Sequence, residues 1–318
     1  MKKSNMIMAI LLIAGMSLAG CKNGKTAATV PTADSDSVAH DTIVASADTV
    51  CKDTLQTILV ADAKYEKDSM LYSKVSVDWP TGTDMLSQGV RRFIVSQLAK
   101  TYLPHVDYCD GKPDLSKYPY YSGDSADVKK LVKFYTKGTQ RYLREVWRDM
   151  HTEGYDGNDC IDNEINICKD KETPRFIAYC TVTYCEIGGP HGNYGCVTHV
   201  INKATGREVT NVLLKGKEKA LQRFIRKGIL DYFNQDENGN VTGHMKDKDL
   251  DDELLPEYQG KTIPLPENPP VLDTDGIWLE YQRGEIMPYA QAIVSIKIPY
   301  KDIKPYLTQE VRQMFNLQ

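Results

Sequence analysis

The sequence predicts an α+β fold in which a mainly antiparallel sheet carries helices packed on one side. In the C-terminal half, segments of alternating apolar and polar residues follow one another across short turns, as the strands of β-hairpins do. Closer to the N-terminus, two segments place apolar residues at the spacing of amphipathic helices. Strands joined by hairpins, with the helices grouped apart from them, are typical of the α+β class.

The residue pattern of the first folded region predicts one strand followed by two helices, which together form a small N-terminal α/β unit. Residues 72–79 alternate as a half-buried strand does, and a proline and a glycine follow closely. The first helix begins at Thr83 or Asp84, because either side chain can accept a hydrogen bond from the first helical turn. The second helix begins with Ser125 as its N-cap and continues to residue 150.

The residue pattern of the second region predicts a sheet with helices attached to it. Its elements in order are strands at 161–168 and 175–187, a glycine-rich turn at 188–195, a strand at 196–202, a hairpin turn at Thr205-Gly206, a strand at 208–211, a helix at 216–233, strands at 276–282 and 291–298, and a helix at 301–315. Residues 234–270 are acidic and rich in proline, which predicts an insertion before the last two strands.

The N-terminus has the pattern of a lipoprotein signal peptide, residues 1–20. Lys2 and Lys3 precede an uncharged apolar run that is shorter than the about 20 residues a membrane-spanning helix needs. The run ends in small residues followed by Cys21, whose thiol can accept a diacylglycerol group. We therefore expect a lipid anchor on Cys21, since two or more acyl chains hold a protein stably on a membrane. The alternative is an ordinary signal peptide followed by a coincidental cysteine.

The residues after Cys21 predict a location and a domain organisation. The second position of the mature chain is not the aspartate that signals inner-membrane retention, and no acidic run for surface display follows. We therefore expect the periplasmic face of an outer membrane. Residues 21–56 contain almost no large apolar side chains, which predicts a flexible tether. A small N-terminal domain at 57–157 and a C-terminal domain at 158–318 follow.

The charge of the chain argues against a nucleic-acid partner. The net charge is −4 and becomes −6 when Lys2 and Lys3 leave with the signal peptide. A mildly acidic surface is not expected to offer the clustered Lys and Arg that phosphate contacts require. The sequence therefore predicts a membrane partner, held through the lipid, and no nucleic acid.

The cysteines leave two interpretations open. Seven remain beyond Cys21, and an odd number leaves at least one thiol unpaired within a monomer. Five fall at 160–196 on predicted strands, where cross-strand disulfides are expected in an exported protein. The alternative is a metal site made from Cys180, Cys185, Cys196, His191 and His199. The Cys-x-x-Cys spacing typical of zinc sites is missing, so we predict no metal and no cofactor.

A second metal alternative is a calcium loop at 234–245. Asn234 and Asp236 stand at its first and third positions, and a glycine stands at the sixth. Met245 occupies the twelfth position, where a bidentate glutamate should close the shell. A solvated acidic loop is the preferred interpretation, and calcium binding is left open.

The glycine-rich turn at 188–195 is the candidate ligand-binding site. Four glycines and a proline in eight residues require unusual backbone angles, and His191 and Tyr194 belong to the same turn. A wide β-turn whose histidine bonds the backbone is the alternative. The chain has no Gly-x-Ser-x-Gly elbow and no His-Glu-x-x-His helix, so no catalytic residue is predicted. Gly123-Asp124-Ser125 is similar to a hydrolase turn, but it follows a loop instead of a strand.

The C-terminal half also carries an ordered set of short motifs. They are Gly188-Gly189-Pro190-His191, Thr205-Gly206, Val209-Thr210, Gly276-Ile277-Trp278-Leu279-Glu280-Tyr281, Glu285-Ile286-Met287-Pro288-Tyr289-Ala290, Ile296-Lys297-Ile298-Pro299-Tyr300, Ile303 and Tyr306-Leu307. Together they resemble the RsiV-like C-terminal domain family, a domain of unknown function. The region of Trp79-Pro80 and the helix after it is similar to the small domain that often precedes this family's domain.

The resemblance implies an extracytoplasmic module without catalytic residues of its own. In one branch of the family the module senses lysozyme by binding it, and in another it precedes a peptidoglycan deacetylase domain. Gln291 departs from the glycine that the family usually has there, which puts a shared ligand surface in doubt. We therefore expect an envelope lipoprotein that binds a protein, lysozyme-like hydrolases included, or a peptidoglycan fragment, with His191, Tyr194 and Tyr289 as contacts. The alternatives are a hydrolase of envelope polysaccharide or peptide and a structural assembly lipoprotein.

Overall fold

The computed structural model has the α+β fold that the sequence predicts. It describes residues 42–44, 55–67, 69–106, 114–154, 161–187, 192–236, 239–288 and 294–317. These residues form a seven-stranded mixed sheet, a three-stranded antiparallel sheet and seven α-helices. They pack into two compact units. Unit 1 holds the described residues up to Lys169 and those of 179–196, and unit 2 holds 170–178 and those from Val197 onward. The predicted domain boundary at residue 157 stays a prediction.

The larger sheet keeps its strands in the order of the sequence. The strands are β1 Thr42–Val44, β2 Leu55–Glu66, β3 Ser69–Pro80, β4 Ile161–Glu172, β5 Phe176–Glu186, β6 Asn193–Asn202 and β7 Arg207–Glu208. The predicted strands β3 to β6 are confirmed. The pairing of β3 with β4 is parallel, because a helical connection separates them along the chain.

Strands β1 and β2 are additions to the predicted elements. Residues 42–44 and the first residues of β2 lie in the predicted tether, yet they pair with the sheet. Strand β2 pairs with β3 along its whole length, up to Glu66 opposite Ser69. The hairpin is tight, and Lys67 takes the positive φ of 54° that tight hairpins favour. Only two of the twelve residues of β2 are buried, which explains why its apolar pattern is weak.

The helices of unit 1 are α1 Met85–Lys100, α2 Leu103–Val106 and α3 Val128–Thr152. The carboxylate of Asp84 accepts a hydrogen bond from the Ser87 N–H at 3.0 Å, which confirms the predicted cap of α1. The cap of α3 is Asp127, whose carboxylate accepts from the Lys130 N–H at 3.1 Å. The prediction that Ser125 caps this helix is wrong, because residues 124–126 form a separate turn before it.

Helix α3 packs on β2 and β3, and α1 packs on β3, which places the core of unit 1 between helix and sheet. Leu131 and Leu143 of α3 are fully buried there, as is Val75 of β3. Polar side chains share this interface: the Gln140 amide donates to the Leu71 carbonyl at 2.8 Å. Among the described residues, no helix is both long and apolar enough to cross a membrane.

Unit 2 is built around the smaller sheet and α4. Its elements are α4 Glu218–Asn234, α5 Asp247–Glu253, β8 Val271–Leu272, β9 Gly276–Tyr281, β10 Val294–Pro299, α6 Tyr300–Ile303 and α7 Gln309–Met314. Strand β9 lies between β8 and β10, with antiparallel pairing on both sides. The apolar side of α4 packs on β10, so Ile225 and Ile229 are fully buried against the sheet.

Segment 234–270, predicted to be an insertion, contains α5 and contributes Leu250 and Ile263 to the core with no exposed surface. One prediction for unit 2 needs correction. The predicted helix at 301–315 is two helices separated by the tight 3-10 turn Lys304–Tyr306. Pro305 has no N–H to continue an α-helix, so the chain breaks there.

Candidate functional site

One of the three predicted ligand contacts has a described position. Tyr194 is half-buried on β6, which begins at Asn193 and so includes the last three residues of the predicted glycine-rich turn. His191 and Tyr289 lie outside the described residues, and so does Cys21. The roles predicted for these three residues stay predictions.

An aromatic ring holds the base of the glycine-rich turn. The Tyr184 ring of β5 lies so close to Gly192 that a Cβ atom there would be 2.4 Å from the Tyr184 hydroxyl oxygen. Only glycine allows this approach. The Tyr184 carbonyl in turn accepts a hydrogen bond at 3.1 Å from the Asn163 amide of β4. Strand β5, through Tyr184, therefore contacts both Gly192, just before β6, and Asn163 of β4 within unit 1.

His199, one of the residues of the alternative metal site, pairs with a carboxylate. Nδ1 of His199 lies 2.7 Å from Oε1 of Glu208, across the hairpin of β6 and β7. Cys180 is buried on β5. Within the described ranges, no three His, Cys, Asp or Glu residues are grouped so that they could hold a metal ion. The other proposed histidine ligand, His191, lies outside those ranges.

The oxygens of the proposed calcium loop bond within the loop itself. Oδ1 of Asn234 accepts from the Met245 N–H at 2.7 Å, and its Nδ2 donates to the Met245 carbonyl at 2.8 Å. The two carboxylate oxygens of Asp236 accept from the backbone and side-chain N–H groups of Asn240, each at 2.9 Å. The oxygens at the first and third positions therefore close the loop.

The motif turn around Glu285 is attached to segment 234–270. Its Oε1 accepts from the Glu267 N–H and its Oε2 from the Gln282 N–H, both at 2.7 Å. Burial raises the pKa of the Glu285 carboxyl, although these N–H donors oppose the shift. The Tyr281 hydroxyl donates to the Pro264 carbonyl at 2.7 Å beside it. These bonds tie the turn to the segment that the sequence suggested was an insertion.

We expect Glu285→Gln to lower the free energy of unfolding by about 1 kcal/mol, because the new amide group leaves one backbone N–H without an acceptor. Thermal unfolding followed by circular dichroism measures the effect. Glu257→Gln is the matched control, since Glu257 is exposed in segment 234–270, to which the turn is attached. Equal melting temperatures for the two variants would contradict a role for Glu285 in holding this turn.

The exposed face of α3 carries a concentration of positive charge that the sequence analysis missed. The helix has seven basic and two acidic residues, although the whole chain has a net charge of −4. Four exposed residues follow one another at intervals of four along one side, and we call them the α3 basic row: Lys129, Lys133, Lys137 and Arg141. The regular spacing was visible in the sequence, but the overall acidity hid it.

Most carboxylates near α3 are already paired with other basic residues. Glu66 pairs with Arg144 at 2.5 Å and also contacts Arg148. Asp127 pairs with Lys130 at 2.8 Å, and Glu145 pairs with Lys117 at 2.7 Å. In the part of the chain that the structure describes, the three lysines of the α3 basic row form no ion pair. Their charge is therefore available to a ligand.

The loop before α3 lies along the helix and begins at a buried anchor. The Tyr118 hydroxyl donates to the Glu145 carboxylate at 2.6 Å, and the Arg141 guanidinium lies 4.5 Å from the centre of the Tyr118 ring. Burial and the hydrogen bond to Glu145 raise the pKa of the Tyr118 hydroxyl. The Tyr118 carbonyl also lies 2.6 Å from Nε2 of His105. This anchor fixes the loop next to the end of the α3 basic row.

Two further tyrosines of the loop form what we call the tyrosine rim, Tyr120 and Tyr121. The Tyr120 side chain is 49% exposed, and its ring lies edge-on to the His105 ring at 4.6 Å. The Tyr121 ring meets Phe134 of α3 at 5.4 Å, and its hydroxyl donates to the Asp124 carbonyl at 3.2 Å. The rim therefore presents fixed aromatic rings beside α3.

The comparisons with known proteins identify a fold. Neither a protein-family profile nor a curated protein sequence matches the chain. A DUF3298 family protein from Bacteroides fragilis is similar in structure, with a TM-score of 0.58 and 16% identity over 84% of this chain and 98% of that one. A DUF3298 protein from Pseudomonas aeruginosa aligns with a TM-score of 0.47 and 13% identity, over 81% of this chain and 97% of its own. The first likeness shows that this chain has the α+β fold of a DUF3298 protein, a domain of unknown function.

Proposed function

We propose that the chain is a non-enzymatic binding lipoprotein of the cell envelope. A lipid on Cys21 anchors it, at the periplasmic face of an outer membrane. Its ligand is a protein, lysozyme-like hydrolases included, or a peptidoglycan-related molecule. We also propose that the C-terminal domain is related to the RsiV-like family, which its motifs resemble, and that His191, Tyr194 and Tyr289 contact the ligand.

The observation that carries the proposal is the fixed base of the glycine-rich turn. The Tyr184 ring on Gly192 and the Asn163 bond to the Tyr184 carbonyl hold the strands on both sides of the turn. A side chain held on a paired strand, as Tyr194 is, loses little conformational entropy when a ligand binds it. Tyr194 stands at the edge of the turn, half-buried, where its ring can contact a ligand without leaving the sheet.

The experiment is a pull-down with the lipid-free mature chain, residues 22–318, against a panel of lysozymes and against purified peptidoglycan. Tyr194→Ala should raise the Kd of the captured ligand about tenfold, because an aromatic contact at an interface contributes at least about 1.4 kcal/mol. Its melting temperature should change by less than that of a core variant.

The matched control is Tyr65→Ala, which removes a tyrosine that is 65% exposed on β2. Binding equal to that of the unaltered chain in both variants would contradict the assigned contact. A stoichiometric divalent ion in the purified protein would instead favour the hydrolase alternative. Self-association with no captured ligand would favour the assembly alternative.

A further inference from the structure

We propose that the α3 basic row and the tyrosine rim form one surface that binds a linear anionic polysaccharide. The inference rests on the proposed function only in placing the chain in the envelope, where such polymers occur. It names a different surface from the glycine-rich turn and a narrower ligand class. The polymer's acidic groups would meet the basic row, and its sugar rings would meet the rim.

The spacing of the basic row fits an extended, repeating ligand. Successive members lie four residues apart, a rise of about 6 Å, so the row from Lys129 to Arg141 extends about 18 Å along α3. Each step also turns about 40° around the helix, because four residues exceed one helical turn. A compact anion would contact one or two of these cations, whereas a flexible linear polyanion can follow all four.

The three lysines of the row form no ion pair within the part of the chain that the structure describes, whereas Arg141 contacts the Tyr118 ring. Asp127, Glu145 and Glu66 are the acidic residues that pair on or beside α3, and each is paired with other cations. The Lys129, Lys133 and Lys137 side chains are exposed. A ligand therefore competes with water and counterions at these lysines, and its binding should weaken as salt rises.

The tyrosine rim supplies the contact that distinguishes a sugar polymer from a simple anion. A tyrosine ring offers a flat apolar face and a polar tip, which matches the apolar C–H face and the hydroxyl groups of a sugar. His105 and Phe134 already restrict the Tyr120 and Tyr121 rings, so little side-chain entropy remains to be lost. The Arg141 guanidinium lies over the Tyr118 ring, which places the loop that carries the rim beside the end of the basic row.

Two other classes of anionic partner fit less well. A membrane-bound amphipathic helix inserts an apolar face, but the apolar face of α3 is buried, with Leu131, Val132 and Leu143 at 0% exposure. A nucleic acid requires a wide basic surface, and beyond this row the chain has an excess of acidic residues. A narrow, sugar-based polyanion uses the row and the rim together.

The test measures binding of polygalacturonate, a linear carboxylated polysaccharide, by isothermal titration calorimetry with the mature chain. Neutral dextran is the uncharged comparison. The variant K129Q/K133Q/K137Q should bind polygalacturonate about tenfold more weakly, since each exposed charge contact contributes only modestly. Tyr120→Ala should also weaken binding, without changing its salt dependence. None of these lysines has an ion-pair partner in the described residues, so the fold should persist.

The matched control is K215Q/K217Q/K219Q, which removes the same charge from exposed lysines of unit 2. We expect it to bind polygalacturonate within twofold of the unaltered chain. Equal losses in the two triple variants, equal binding of dextran, or tighter binding of DNA or of phosphatidylglycerol vesicles would overturn the proposal. Polygalacturonate binding that depends on Tyr194 but not on these lysines would overturn it while leaving the proposed function intact. Polygalacturonate binding that depends on these lysines, with no lysozyme or peptidoglycan captured in the pull-down, would support this proposal and contradict the proposed function.

Discussion

Gly228→Val is expected to lower the free energy of unfolding by about 3 kcal/mol, the largest loss that we predict for a single substitution. Gly228 lies on α4 where the helix crosses β10. A Cβ atom at this position would be 1.8 Å from Cγ2 of Ile296, far closer than two carbon atoms can approach. The helix must therefore move away from the sheet or Ile296 must leave its place, and both disrupt the core of unit 2. Thermal unfolding by circular dichroism measures the loss.

Ala220→Val is the matched control, because Ala220 is exposed on the same helix. It introduces the same β-branched side chain without the clash, so its effect should stay within about 0.5 kcal/mol. A double-mutant cycle with Gly228→Ala and Ile296→Ala tests the contact itself. Ile296→Ala removes the clashing methyl group. The losses of unfolding free energy of the two single variants should therefore sum to about 1 kcal/mol more than the loss measured for the double variant. Strict additivity would mean that the close approach does not limit packing.

Asp273→Ala should lower the free energy of unfolding by about 2 kcal/mol at pH 7, because it removes a carboxylate that several groups of unit 2 share. Oδ1 lies 2.5 Å from the Lys171 ammonium, and Oδ2 lies 3.2 Å from both the Trp278 indole nitrogen and the Lys297 ammonium. The side chain is 16% exposed, so solvent screens these contacts only in part.

The effect should depend on pH in a defined direction. Burial alone would raise the pKa of the Asp273 carboxyl, but hydrogen bonds from Lys171, Thr274 and Trp278, together with Lys297, hold it well below its ordinary value. An acid whose pKa is lower in the folded state stabilises the fold above its unfolded value, about 3.9. The difference between the unaltered chain and Asp273→Ala should therefore be full at pH 6 and shrink as the pH falls below about 4.

Asp302→Ala is the comparison, since Asp302 is exposed on α6. Chemical unfolding at pH 7, 5, 4 and 3 gives the free energies. A difference for Asp273→Ala that stays constant over this range would show that its charge does not contribute, and a difference as small as that of Asp302→Ala would show that the network is unimportant.

The elements with a strong local pattern could be predicted from the sequence. Strand β4 follows a clear alternation, strand β5 opens with six consecutive buried residues, and Asp84 caps the start of α1 with its own side chain. Strand β2 was missed because its buried positions are few, and its place depends on pairing with β3 instead of on its own composition. In segment 234–270 the many charges hid Leu250 and Ile263, whose burial depends on contacts distant in the sequence.

The two candidate surfaces differ in how far the sequence could reveal them. The α3 basic row can be read from residue spacing, but the net charge of the whole chain averages it away. The tyrosine rim follows no regular spacing in the sequence. Its position depends on Tyr118, which anchors the loop through Glu145, 27 positions further along the chain. Tertiary contacts of this kind leave no local signal. Tyr194 could be named as a candidate, while the contact of the Tyr184 ring with Gly192 became visible only in the fold.

The most direct test of a non-enzymatic binding role is to recover the ligand after binding and determine its chemical state. The mature chain is titrated with the lysozyme or peptidoglycan fragment that the pull-down captures, and the recovered ligand is analysed by mass spectrometry. We expect saturable binding that Tyr194→Ala weakens, and a ligand recovered with unchanged mass. A ligand that is cleaved or otherwise modified, or no binding by protein shown to be folded, would contradict the proposed function.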